Sequence, residues 1–247
     1  MLEKIINLGI SKVEAQELLK VSKDIEKDYS KLLKDYPIQY LIGNVNFYGY
    51  TIFVNENVLI PRRESEELVE KTIKYIKKYL NENVSILDLC SGSGAIGIAL
   101  KKQLINSNVT CSEISQKAID VSLKNIKYNN VDIAVIKSDL FNNINCKYDV
   151  IISNPPYISK DEKIDDSVKK YEPSLALYAE DNGLYFYKEI IGKAKNYINK
   201  KYIIAFEIGY WQSSEIIKYA KNVFHNNKIF VEKDLSNRDR FIFIINE

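Results

Sequence analysis

The four residues Asn154-Pro155-Pro156-Tyr157 restrict this chain more than any others, because they follow the strand-like run Asp149-Val150-Ile151-Ile152-Ser153 with two consecutive prolines. Proline fixes φ near −65°, removes an N–H donor and pushes the residue before it out of the helical region. The strand therefore has to end in a rigid, extended backbone whose carbonyl oxygens are left free to accept. A planar NH2 group is the natural partner for such a turn. The Asn154 side-chain oxygen and the Pro155 carbonyl can take its two hydrogens, while Tyr157 stacks on the plane of the group. Pro156 keeps the turn rigid. The plain alternative is a proline-rich strand-to-loop turn with no ligand.

What precedes that turn reads as alternating strands and helices. Strands are expected at 84–90, 109–114, 133–139 and 148–154, with helices starting at Ala95 and Gln116. The second half continues with a helix over 184–197, a strand over 202–208, a helix over 212–220, and closing strands at 228–234 and 241–246 that read as a hairpin. A mainly parallel sheet of this kind places its ligand crevice at the carboxyl ends of the strands where their order reverses. Upstream, residues 2–35 read as helical: Ser11 and Glu14 have capping-box spacing, Gly9 can end a short helix, and Leu18, Leu19 and Ile25 form a stripe. Residues 36–61 are rich in aromatic and β-branched types, with a hairpin expected over 47–60. Helical periodicity returns over 64–80. The division expected is a small helical unit at 1–35, a β-hairpin linker at 36–63 and a main domain at 64–247.

The first strand runs into a small-residue turn, Asp88-Leu89-Cys90-Ser91-Gly92-Ser93-Gly94, that opens a helix at Ala95. Small residues let backbone approach a ligand closely, and a helix N-terminus offers unpaired N–H groups to an anion. Asp88, Cys90, Ser91, Gly92, Ser93 and Gly94 are the expected cofactor loop. Glu113 stands 21 residues after Gly92, where dinucleotide-type sites place the acid that binds ribose hydroxyls. Its alternative is a helix cap beside Ser115. Asp139 can accept from an adenine amino group with Leu140 and Phe141 covering the ring, or it is an ordinary strand-end aspartate. Together with the Asn154 turn, these residues point to methyl transfer from S-adenosylmethionine to a planar amide or amino nitrogen.

Composition narrows the field further. With 46% apolar and 28% charged residues, the 247-residue chain can bury a sizeable core, so disorder is excluded. No apolar run spans a bilayer and the amino terminus is unlike a signal peptide, so a cytoplasmic protein without membrane partners is expected. Three cysteines without paired spacing suggest reduced thiols, and with the single His225 they lead us to expect no metal site. A net charge of +2 with interleaved signs does not suggest a phosphate-binding surface.

With those residues placed, the chain resembles the HemK-like family of peptide chain release factor glutamine N5-methyltransferases from about Tyr36 onward. Pro37-Ile38-Gln39-Tyr40-Leu41-Ile42-Gly43, Phe47-Tyr48-Gly49 and Leu59-Ile60-Pro61-Arg62 are similar to the family's linker. Further matches are Glu172-Pro173, Ala176-Leu177, Asp181-x-Gly183-Leu184, Glu207-Ile208-Gly209, Gln212, Lys233-Asp234-Leu235 and Arg238-Asp239-Arg240. The resemblance implies a Rossmann-like class I S-adenosylmethionine-dependent methyltransferase sheet with a small N-terminal helical domain. It also implies cofactor contacts at Cys90 to Gly94, Glu113, Leu140 and Asn154, and a glutamine side chain held by Asn154, Pro155, Pro156 and Tyr157. The implied protein partner is a release factor whose Gly-Gly-Gln loop enters the cleft, and a monomeric enzyme is expected.

The chain departs from the family at four places. Cys90 replaces the first glycine of the loop, Arg63 stands for a proline and Ser65 for a threonine. About 35 residues precede the linker, roughly half of the family's usual helical domain. The main competing enzyme is an N6-adenine-type nucleic-acid methyltransferase, which would present the same NH2 to the same turn. It would need a basic channel, yet Lys160, Lys163, Lys169 and Lys170 are interspersed with Asp161, Glu162, Asp165 and Asp166. A non-catalytic adaptor that kept the fold is the reading from another class, and intact Asn154 and Glu113 speak against it.

Overall fold

Ser11 caps the second helix as its spacing requires: its Oγ accepts from the Glu14 N–H and donates to the Glu14 carboxylate at 2.6 Å. The computed structural model describes all residues, 1–247. It opens with α1 (Leu2–Ile6), α2 (Lys12–Val21), α3 (Ile25–Leu32) and α4 (Ile38–Ile42). Gly9, at φ 84°, turns the chain between α1 and α2. The first three helices bury Ile5, Ala15, Leu18 and Leu32 together with Ile38 and Ile42 of α4, so this packing unit runs on to Ile42. Six residues make a small core. It is tied to the rest through Tyr171, whose hydroxyl donates to the Lys34 carbonyl and whose ring meets Tyr36 edge-on.

The hairpin lies earlier than the sequence suggested. It comprises β1 (Asn44–Phe47) and β2 (Tyr50–Phe53), not residues 47–60. Tyr48 and Gly49 both take positive φ, 51° and 84°, which is the requirement of a two-residue turn whose twist matches the strands. Tyr48-Gly49 is thus the corner of the hairpin, and Phe47 ends its first strand. The linker is no loose spacer either. Phe47, Ile52, Val54, Val58 and Ile60 are buried in the main core, and the Tyr40 hydroxyl donates to the Val58 carbonyl at 2.7 Å.

From α5 (Arg63–Tyr79) onward the expected alternation is present: β3 (Ser85–Leu89), α6 (Ala95–Gln103), β4 (Asn108–Glu113), α7 (Gln116–Tyr128), β5 (Ile133–Lys137) and β6 (Tyr148–Ser153). After the proline turn come two short helices the sequence reading did not resolve, α8 (Asp166–Tyr171) and α9 (Ser174–Leu177), and a single turn at Asp181–Gly183. The chain closes with α10 (Tyr185–Ala194), β7 (Ile198–Glu207), α11 (Ser213–Val223), β8 (Lys228–Lys233) and β9 (Asp239–Asn246). No helix is long and apolar enough to cross a membrane.

The strands form one sheet in the order β5-β4-β3-β6-β7-β9-β8, antiparallel only where β9 lies between β7 and β8. Side chains alternate across it. Ile86, Val150, Ile152, Ile203 and Phe243 pack beneath α5, α6 and α7, while Leu87, Ile151, Ile204, Phe206 and Ile244 pack beneath α10 and α11. A sheet covered on both faces needs continuous apolar runs, which is why Ser85–Leu89 and Tyr148–Ser153 read as they do. Strand order reverses at β3, which pairs in parallel with β4 on one side and β6 on the other. The carboxyl ends of these three strands carry Cys90, Glu113 and Asn154.

Candidate active site

The turn after β3 bends through three left-handed residues, the last of them Gly94 at φ 78°. Cys90 has φ 60° and Gly92 has φ 53°. Cys90 is the position where the family has glycine, and it takes the conformation that glycine adopts without cost. Behind the turn, Asp88 is fully buried, accepts from the Gly97 N–H at 3.0 Å and lies 3.8 Å from the Cys111 thiol. It braces the start of α6 and does not reach the cleft. A Cβ at Gly97 would come within 2.6 Å of Cys111 Sγ, so this close approach of helix to strand requires glycine.

Glu113 ends β4 with its carboxylate turned to backbone. One oxygen accepts from the Gly92 N–H at 2.9 Å and the other from the N–H groups of Ile114 and Ser115, each at 2.9 Å. The cap of α7 is Ser115, whose side chain accepts from Ala118. Glu113 therefore joins the ends of β3 and β4 at the edge of the cleft.

The cleft has a volume of about 280 Å³. Of the residues singled out in the sequence, Cys90, Gly92, Glu113, Asp139, Leu140, Asn154 and Pro156 line it. Asp88, Ser91, Ser93, Gly94, Pro155 and Tyr157 do not. Phe141 is not an adenine cover, because it is buried in the second core layer and stacked on Tyr197 at 4.3 Å. Leu140, at φ 47°, turns toward the cleft at that point instead. The apolar walls and the paired acids Glu113 and Asp139 fit an adenosyl group with ribose hydroxyls. No atom lies within 4 Å of where a Gly92 Cβ would stand, which leaves open space against the turn. The residues fit S-adenosylmethionine.

Two walls had no signal beyond the family resemblance. Asn57, Val58 and Leu59 of the linker and Pro173, Leu175 and Ala176 line the cleft. Glu172 holds the two walls together: it is buried, accepts from the Ile60 N–H at 3.1 Å and pairs with the Arg62 guanidinium. Arg63 is the first helical residue of α5, the position at which proline is also favoured, so the departure there is structurally conservative.

At the proline turn, Pro155 and Pro156 are buried, and no backbone N–H donates to the Pro155 carbonyl. Asn154 Nδ2 donates to Ser65 Oγ at 3.1 Å, and Ser65 in turn donates to Glu207 Oε2 at 2.6 Å. A hydroxyl that gives its proton to a carboxylate has only lone pairs left for its other neighbour. Asn154 must then present its NH2 to Ser65 and keep Oδ1 for the cleft. Ser65 and Glu207 are both buried. In the sequence Ser65 stands out only as a replacement for threonine, and Glu207 only as part of a segment that matches the family.

Tyr157 sits half-buried against the second core layer, and burial pushes its phenol well above the usual range. Lys160, Lys163, Lys169 and Lys170 are exposed among acids, and Asp165 caps α8. His225 is exposed beyond α11, away from the cleft.

Residues 65–171 match the methyltransferase small domain family. The chain is 39% identical over 222 residues to a release factor glutamine methyltransferase of Streptococcus pneumoniae, covering 89% of this chain and 78% of that protein. It is 37% identical to the protein of that description in Lactococcus lactis, covering 97% and 87%. Among solved structures, the protein-(glutamine-N5) methyltransferase (release factor-specific) of Alicyclobacillus acidocaldarius shares the fold. Its TM-score is 0.50 at 22% identity, over 76% of this chain and 94% of that one.

Proposed function

The chain belongs to the release factor glutamine methyltransferase family, and from that premise we propose that its Asn154 turn holds the side-chain amide of a release-factor glutamine for methylation at N5. The enzyme is an S-adenosylmethionine-dependent transferase with the class I fold. The observation that carries the site assignment is the direction of the Asn154 amide: Nδ2 is committed to Ser65, which leaves Oδ1 facing the cleft.

An amide nitrogen is a poor nucleophile because its lone pair is delocalised, so the chain has to contribute alignment more than basicity. Asn154 Oδ1 and the Pro155 carbonyl each accept one amide hydrogen, which orients the nitrogen toward the cofactor side of the cleft. When bound, S-adenosylmethionine supplies an electrophilic sulfonium methyl group. Cys90, Gly92, Glu113, Asp139 and Leu140 hold it at the strand ends. Two acceptors fixed before the reaction favour the more positive N–H groups that develop as the nitrogen bonds to carbon. The linker wall at Val58 and Leu59 closes one side of the cleft beside the amide, whose surplus proton leaves to solvent.

The test is incubation with labelled S-adenosylmethionine and three acceptors separately: a bacterial release factor, the same factor with its Gly-Gly-Gln glutamine changed to alanine, and total RNA. Label on the intact factor alone supports the assignment. Label on RNA with none on either protein overturns it.

A further inference from the structure

The geometry points to Glu207 as a positioning residue whose charge, relayed through the Ser65 hydroxyl, decides which way the Asn154 amide faces the substrate. This rests on the glutamine reading above. The three side chains come from β7, α5 and the end of β6, and they are joined only by the contacts of Ser65 to Glu207 at 2.6 Å and of Asn154 to Ser65 at 3.1 Å. Only one orientation of the chain is consistent with an ionised carboxylate. Glu207 accepts, Ser65 donates to it and accepts from Asn154 Nδ2, and Asn154 Oδ1 is left to accept from the substrate NH2.

A proton on Glu207 Oε2, the oxygen that faces Ser65, reverses the sequence of donors. The carboxyl O–H donates to Ser65 Oγ, the serine proton turns to Asn154, and Asn154 satisfies it by turning Oδ1 inward. Nδ2 then faces the substrate NH2, donor against donor, and the glutamine loses the acceptor that aligns it. No bond other than O–H changes, and one proton is taken from solvent.

The surroundings of Glu207 put this reversal within reach of ordinary pH. Burial pushes its carboxyl up to about 7, against the opposing pull of the Ser65 hydrogen bond and of Arg240 on β9. From α5 and the linker it also faces Glu64, which raises it, and Arg62, which lowers it. Tyr157 lies near it from the proline turn, and the Tyr187 hydroxyl of α10 donates to the Glu207 carbonyl at 2.8 Å. Arg240 does not neutralise Glu207 by direct contact, since its guanidinium is engaged by Asp234 and the Ile208 carbonyl.

The experiment is single-turnover methylation of a release factor at saturating cofactor across pH 5.5 to 9, with calorimetry of S-adenosylmethionine binding as the control for folding. The wild-type rate should rise through an inflection near 7, falling roughly tenfold per pH unit on the acid side. Glu207→Gln and Ser65→Ala should each lose the acid limb and run on the order of 10- to 100-fold slower at pH 8, with cofactor affinity unchanged. Ser65→Thr, which keeps the hydroxyl, should keep the limb. If Glu207→Gln fails to bind cofactor, Ser65→Ala decides alone. An acid limb that persists in a cofactor-binding Glu207→Gln or Ser65→Ala protein overturns the inference. A wild-type enzyme that methylates no release factor at any pH overturns the glutamine reading instead.

Discussion

The Gln212 side-chain amide donates to the Tyr157 carbonyl at 3.0 Å across 55 residues of sequence. The same side chain accepts from the Gly209 N–H, also at 3.0 Å, so its orientation is set. Gly183 packs into the corner between them. Its Cβ would lie 2.0 Å from the Tyr157 oxygen and 2.4 Å from Gln212 Nε2. The proline turn is therefore held from behind by residues of two separate segments, Gly183 and Gly209 to Gln212.

Gly183→Ala should displace that turn. Gly183 sits at φ 83°, so the substitution meets both backbone strain and a clash with main-chain oxygen. We expect a loss of about 2 kcal/mol in stability and a fall in single-turnover rate on the order of 100-fold. Chemical denaturation and methylation of a release factor at saturating cofactor measure the two effects. A variant with wild-type rate would show that the turn does not depend on this packing.

Cys90 occupies a left-handed conformation that a β-branched side chain tolerates poorly. Cys90→Gly should leave folding stability within about 1 kcal/mol, since relief of strain and added unfolded-state entropy oppose each other. Cys90→Val should cost about 2 kcal/mol and weaken S-adenosylmethionine binding. Calorimetric titration of both variants decides; equal affinity would separate the backbone at Cys90 from cofactor binding.

Burial, reinforced by Glu113, pushes the Cys90 thiol far above its usual range, and burial does the same to Cys111. Cys146 is exposed. Iodoacetamide at pH 8 should therefore alkylate the folded protein rapidly at Cys146 alone, because the thiolate is the reactive form. Peptide mass mapping showing fast labelling at Cys90 would contradict this.

Asp88 carries a carboxyl pushed up from 3.8 to about 7 by burial, with the Gly97 hydrogen bond opposing. The folded state thus binds a proton that the unfolded chain has released between those values. Stability should fall as pH rises from about 4 to about 7 and then level off. Asp88→Asn should flatten part of that decline, read from urea denaturation at pH 5 and pH 8. An undiminished decline in the variant would place its origin elsewhere, Glu207 being the other buried carboxyl raised in the same direction.

Glu172→Gln should loosen the linker wall, because the Arg62 guanidinium and the Ile60 N–H converge on that one carboxylate. Arg62 is partly exposed, so the cost is set at about 2 kcal/mol, below that of a fully buried pair. Cofactor affinity should fall with it, since Val58 and Leu59 line the cleft. Thermal melting with and without S-adenosylmethionine checks both.

Local patterns were enough to read the sheet and the ends of its strands. The cores of β3 and β6, Ile86-Leu87 and Val150-Ile151-Ile152, are apolar because both faces of the sheet are covered, and Cys90, Glu113 and Asn154 stand at the strand ends. The double proline carries its own constraint, since fixed φ and missing donors do not depend on surroundings. The hairpin was misplaced because aromatic and β-branched residues suit either strands or buried loops, and only the positive φ of Tyr48 and Gly49 located the turn.

Partnership across the chain was decided by tertiary structure alone. Ser65 in its helix looks like an exposed polar residue until α5 packs against β6 and β7, and Glu207 looks like a strand end until the fold closes over it. Hydrogen-bond direction, burial and the proton affinity of a carboxyl are properties of surroundings assembled from distant segments. The sequence determined which groups stand at the strand ends; the packing of α5 and β7 behind Asn154 determined which way that amide faces.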